Sequence, residues 1–120
     1  MLPAHEQEAL VALWNSLAAA IRAELVESQS SGSIATFSIN DPLPQELSIS
    51  TGGKLLSIWL DVYSGRGSWN CISRALDMAE HWTMAPSGVV ELDGETLNLS
   101  TAAKRFVEKI TGQWTGPHMA

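Results

Sequence analysis

Side chains able to do chemistry occur along this chain, but not at the spacings that chemistry needs. His5, His81 and His118 are scattered, and none stands at ligand spacing from a second His, a Cys or a carboxylate on one element. Glu80 and His81 are adjacent and would diverge on a helix. Glu6/Glu8, Glu24/Glu27, Asp61, Glu91, Asp93 and Glu95 read as solvated charge, because nothing around them predicts the burial that tunes one carboxyl against another. Cys71 stands alone, so no intramolecular disulfide can form, and a small core hydrophobe in a reducing compartment is expected. Ser64-Gly65-Arg66-Gly67-Ser68 lacks the Gly-Lys-Ser/Thr ending of a phosphate loop and the Gly-x-Ser-x-Gly of a nucleophile elbow, which leaves a solvated turn. Asn98-Leu99-Ser100 fits the glycosylation pattern, with no export signal beside it. The expectation is a protein that is not an enzyme and carries no cofactor or metal.

The aromatic residues say more. Five tryptophans exceed what a core of this size needs, so some are expected at the surface. Trp59 and Tyr63 share the face of a strand that otherwise carries Ser57 and Asp61, which makes them the best candidates for a contact surface; a helix covering that face is the rival explanation.

The elements that must position these residues begin with an amphipathic helix over 4–28. Leu10, Leu13, Trp14, Leu17, Ile21 and Leu25 recur at helical spacing, and Pro3 with early Glu6 and Glu8 marks the start. Three alternating runs follow, at 33–39, 46–51 and 54–63. Asn40-Asp41-Pro42-Leu43-Pro44 separates the first two and Gly52-Gly53 the last two, which predicts an antiparallel meander. Residues 69–82 read as a short helix through Ile72, Ala75, Leu76 and Ala79; the competing reading is a strand near 68–73 followed by another near 80–85. Asp93-Gly94 predicts a hairpin between 89–92 and 95–99. Ser100 or Thr101 then caps a last helix, with Ala103, Phe106, Val107 and Ile110 inward, Lys104, Arg105, Glu108 and Lys109 outward, and Gly112 as its stop. The fold class is thus α+β, an antiparallel sheet with flanking helices in the order α-β-β-β-α-β-β-α. One domain is expected over 1–115; 116–120 resembles a cloning remnant or disordered tail.

Thirteen acidic against seven basic side chains give a net charge of −6, which repels polyanions, so no nucleic-acid partner is expected. The start, Met1-Leu2-Pro3-Ala4-His5-Glu6, lacks the positive region of a signal peptide, and the apolar stretch from Ala9 to Ile21 is short for a bilayer. A cytoplasmic protein without membrane contact is the expectation.

The element order resembles that of the type III secretion effector chaperones of the Tir-chaperone family. The likeness sits in Gly32-Ser33-Ile34-Ala35-Thr36-Phe37-Ser38-Ile39-Asn40-Asp41, in Leu47-Ser48-Ile49 and in Leu55-Leu56-Ser57-Ile58-Trp59-Leu60. The resemblance implies a small acidic homodimer that holds an unfolded stretch of a protein partner. Trp14, Phe37, Ile39, Leu47, Ile49, Trp59 and Tyr63 would then face the partner, and Ile72, Leu76 and Trp82 would form the dimer contact. The middle segment lacks the family's leucine-rich run. A second resemblance, to frataxins, rests on Ile58-Trp59-Leu60 and a glycine turn ahead of another aromatic strand and a closing helix. It implies iron or iron–sulfur work, and the chain is one strand short of that pattern. Charge and size also fit an inhibitor or immunity-type protein that blocks a basic site on a globular partner.

Overall fold

The computed structural model describes residues 1–32, 36–41, 43–73 and 77–111. Helix α1 (Ala4–Ser30) is followed by seven strands, β1 (Ser38–Asn40), β2 (Glu46–Thr51), β3 (Lys54–Asp61), β4 (Arg66–Ile72), β5 (Asp77–Met84), β6 (Val90–Leu92) and β7 (Glu95–Leu97), and by helix α2 (Leu99–Thr111). Each strand pairs antiparallel with the next, so the sheet is a meander in chain order. The α+β class, with an antiparallel sheet and helices at both ends of the chain, is as expected.

The middle helix is not. Two long strands, β4 and β5, take up 69–72 and 77–82 of the segment read as helix 69–82, and they pair over seven residues from Arg66↔Thr83 to Ile72↔Asp77. The helix-forming residues of Asp77–Met84 yield to sheet pairing, because the alternation of Met78, Trp82 and Met84 toward the core outweighs local propensity. The glycine segment is corrected too. Arg66, Gly67 and Ser68 belong to β4, where Gly67 sits opposite Trp82 and leaves room for its indole. The 33–35 part of the first run, Leu76 and the 116–120 tail lie outside the described residues.

Alternation sends Leu47, Ile49, Leu56, Ile58, Leu60, Trp69, Cys71, Trp82, Met84, Val90 and Leu92 to one side of the sheet, where all are buried. From α1 come Leu10, Trp14, Leu17, Ile21 and Leu25, and from α2 Ala102, Ala103, Phe106, Val107 and Ile110, into the same cluster. Aromatic rings tie the layers together. Trp82 of β5 stacks on Trp14 of α1 at 6.4 Å between centroids and meets Phe106 of α2 edge-on at 5.4 Å, contacts worth about 0.5–1.5 kcal/mol each beyond burial. Among the described residues α1 is long and apolar enough to cross a membrane by length and composition, longer than the stretch read from the sequence, but its apolar stripe is committed to this core.

Helix α2 starts earlier than expected, ahead of both Ser100 and Thr101. Asn98 Oδ1 accepts a hydrogen bond from the Thr101 amide at 2.8 Å, so Asn98 is the cap. At the preceding hairpin Asp93 and Gly94 both have positive φ, 57° and 78°, as a type I′ turn requires.

Candidate functional site

Both helices pack on one side of the sheet, so among the described residues no layer covers the opposite side. Cross-strand register arranges its side chains in rows. Glu46, Trp59, Ser68 and His81 form one row; Asn40, Ser48, Ser57, Asn70 and Ala79 form the next; Ser38, Ser50, Leu55, Ile72 and Asp77 form a third. Toward the other end lie Asp61, Arg66, Thr83, Glu91 and Thr96. Trp59 is 39 % exposed, and Leu55 and Ile72, direct cross-strand neighbours, are exposed to a similar degree. Tyr63, in the turn after β3, is 57 % exposed. Trp59 therefore stands where the strand alternation placed it, whereas Tyr63 lies beyond the end of β3, and among the described residues no helix covers either.

Polar side chains on this face bond mainly to each other. Ser68 Oγ and His81 Nδ1 are 3.2 Å apart, and the Ser48 and Ser57 hydroxyls 3.4 Å. Asn70 Oδ1 is buried and has no hydrogen-bond donor among the described residues. Beside Trp59 the β1–β2 loop builds a concavity of about 310 Å³ lined by Leu43, Pro44, Gln45, Glu46, Trp59 and Leu60. The loop is pinned from below, since the Leu60 amide donates to the Gln45 carbonyl at 3.0 Å and the Glu46 amide to Leu43 at 3.2 Å.

The other expected contact residues are placed differently. Trp14, Leu47 and Ile49 are 4 %, 1 % and 0 % exposed, so they are core residues and not contact residues: a strand face that packs on helices has no surface left to offer. Phe37 and Ile39 lean against the same core half-buried. A groove of about 380 Å³ lies between α1 and the residues Asp41 and 43–47; Trp14 and Leu47 line it, as does the Arg22–Asp41 pair, 3.8 Å apart. Of the expected dimer residues Ile72 is exposed on the open face, whereas Trp82 is 2 % exposed beneath α1 and α2 and cannot meet a second subunit.

One charged cluster escaped the pattern of the sequence. Lys109, expected on the outer side of α2, is buried, with Nζ 2.8 and 3.0 Å from the Asp93 carboxylate oxygens and 4.3 Å from the centre of the Trp69 ring. Burial, the largest influence, lowers its pKa, while the Asp93 hydrogen bond and charge act the other way. Arg105 reaches Asp93 at 3.8 Å and also pairs with Glu95 and Glu108. The signal was present in the spacing: Lys109 follows Phe106 by three residues and so borders the apolar stripe. Among the described residues no three His, Cys, Asp or Glu side chains are placed to share a metal ion.

Fold and site together define a two-layer α+β domain with one uncovered sheet face. Comparison with family models, with curated proteins and with solved structures finds no match for the chain.

Proposed function

We propose that this chain is a non-enzymatic acidic protein-binding domain that docks a folded, basic partner on the open face of its sheet, as an inhibitor or immunity-type protein does. The observation that carries the reading is the uncovered face itself, on which the paired Leu55 and Ile72 and, two rows along, Trp59 are exposed, with Glu46, Asp61, Asp77 and Glu91 around them against Arg66. Strands of these lengths, at roughly 3.3 Å rise and 4.8 Å spacing, give a face of about 600 Å², somewhat smaller than one side of a standard interface.

A chaperone-like holder of an unfolded segment is supported less. Such a holder takes up backbone at a free strand edge, and the edges here, β1 and β7, are three residues each. The implied dimer helix is replaced by β4 and β5. That replacement favours a second reading, a frataxin-like protein, because the chain is no longer short of the one strand that pattern lacked. Ferrous iron titrated into the chain under argon tests it, and the absence of saturable quenching of tryptophan fluorescence counts against it.

The main reading is tested with the chain and its Leu55→Ser/Trp59→Ala/Ile72→Ser variant as baits in extract from the native host, after matching their circular dichroism. Loss of a specifically retained protein from the variant supports docking on this face. Equal retention refutes it, and a scattering mass of two chains that the variant reduces to one assigns the face to self-association.

A further inference from the structure

The concavity beside Trp59 has the composition of a receptor for one cationic side chain. Glu46 lies directly across from Trp59 in the β2–β3 register, so a carboxylate borders the indole. Glu46 makes no ion pair among the described residues, whereas the neighbouring Asp61 faces Arg66 across the strands and accepts bonds from the Tyr63 amide and the Ser64 hydroxyl. Leu43, 61 % exposed, and Pro44 wall the other side with aliphatic surface. Gln45 keeps the loop in place at φ 59° through its carbonyl bond to the Leu60 amide. An aromatic face, an unshared carboxylate and an aliphatic wall match the ring, charge and stem requirements of an arginine or lysine. The net charge of −6 adds a long-range pull of the same sign.

We infer that this pocket takes an arginine side chain from the partner, stacked on Trp59 and paired with Glu46. Arginine is preferred over lysine because a planar guanidinium both stacks on the indole and pairs with the carboxylate. The inference rests on the docking role of the open face and names the chemistry by which that face recognises its partner.

The test is a titration of the ¹⁵N-labelled full chain with N-acetyl-arginine methylamide, and with the uncharged citrulline analogue, followed by NMR. The expected result is a saturable shift confined to the Trp59 indole and to the amides of Leu43, Gln45 and Glu46, with citrulline and the Glu46→Gln variant each about fivefold weaker. Equal response to citrulline, or shifts with no focus on these residues, overturns the pocket assignment. So does the absence of any saturable shift. This failure is separable from failure of the docking reading: the bait comparison then still loses its protein with the variant face, whereas an unaffected bait sinks the reading whatever the titration shows.

Discussion

Replacing Asp93 by Asn removes the charge that faces Lys109, together with the longer and partly exposed pairing to Arg105. Asn matches Asp in volume and tolerates the left-handed φ of 57° at position 93. The Lys109 side chain has no exposed surface, so the lost carboxylate cannot be replaced by bulk water. Breaking one side of a buried pair costs about 3–5 kcal/mol. The Asn carbonyl still accepts one bond from Nζ, which offsets about 1 kcal/mol and leaves an expected loss of about 3 kcal/mol. Lys109→Met is the control. Met fills the same space, keeps a sulfur contact to Trp69, and leaves Asp93 with Arg105 at 3.8 Å, so its cost is expected to be smaller, about 1 kcal/mol. The double variant, with both charges gone, should be more stable than Asp93→Asn alone. Urea denaturation followed by tryptophan fluorescence reads these differences: at roughly 1–3 kcal/mol per molar, a loss of 3 kcal/mol moves the midpoint by about 1–3 M. The pH dependence gives a second readout. Because burial holds the folded Lys109 pKa below its unfolded value, the unfolded chain binds the extra proton between the two, and stability rises with pH through that window. Without the Asp93 charge the folded pKa falls further, so the alkaline gain begins at lower pH and is larger in Asp93→Asn. If Asp93→Asn costs no more than Lys109→Met, or the double variant is no better than Asp93→Asn, the pair does not hold α2 and the argument fails.

Gly67→Ala places a Cβ 2.5 Å from the Trp82 indole and 2.6 Å from the Trp59 carbonyl oxygen, so a loss of about 3 kcal/mol or outright unfolding is expected; an unchanged melting temperature would show that the indole does not lie over the glycine. Asn98→Ala removes the α2 cap and should cost about 1 kcal/mol in urea, with Asn98→Asp recovering most of it; no loss in Ala would deny the cap. The Cys71 thiol is buried, and burial pushes its pKa up against the opposing influence of Lys54 and Lys109. It should therefore react with a disulfide reagent only as fast as the chain unfolds, and prompt stoichiometric reaction in native buffer would contradict that.

Much of this fold was legible because most elements carry agreeing signals. β2 and β3 alternate without a break, Gly52-Gly53 reverses them, Asp93-Gly94 reverses β6 and β7, and the Leu/Trp stripe of α1 leaves one reading of its period. β5 was illegible for a physical reason. Among its core-facing positions is Glu80, directly across from Trp69, and an outward position is Ala79, so apolar alternation is blurred while helix formers abound. Glu80 is tolerated there because Lys109, whose charge it helps to stabilise, sits over the same Trp69 ring. A buried cation from α2 thus lets a carboxylate take an inward strand position, and no local rule reports it, because Glu80 and Lys109 stand far apart in the chain and Trp69 farther still.

The open face was legible as a strand face and illegible as a surface, and the difference bears on function. Alternation alone puts Trp59 opposite Ile58 and Leu60, but whether a helix then covers it depends on which way both helices turn. They turn the same way, as the Trp14–Trp82–Phe106 contacts require, and Leu55, Trp59 and Ile72 on the other side are thereby left to water. The fold's own stability gains little from an exposed Leu–Ile pair and an exposed indole in that position. Glu46 then decides the character of what meets the indole. An unshared carboxylate beside an exposed aromatic ring repels an acidic surface and is costly to bury under an apolar one, so a cationic group is the contact that leaves neither side unpaired.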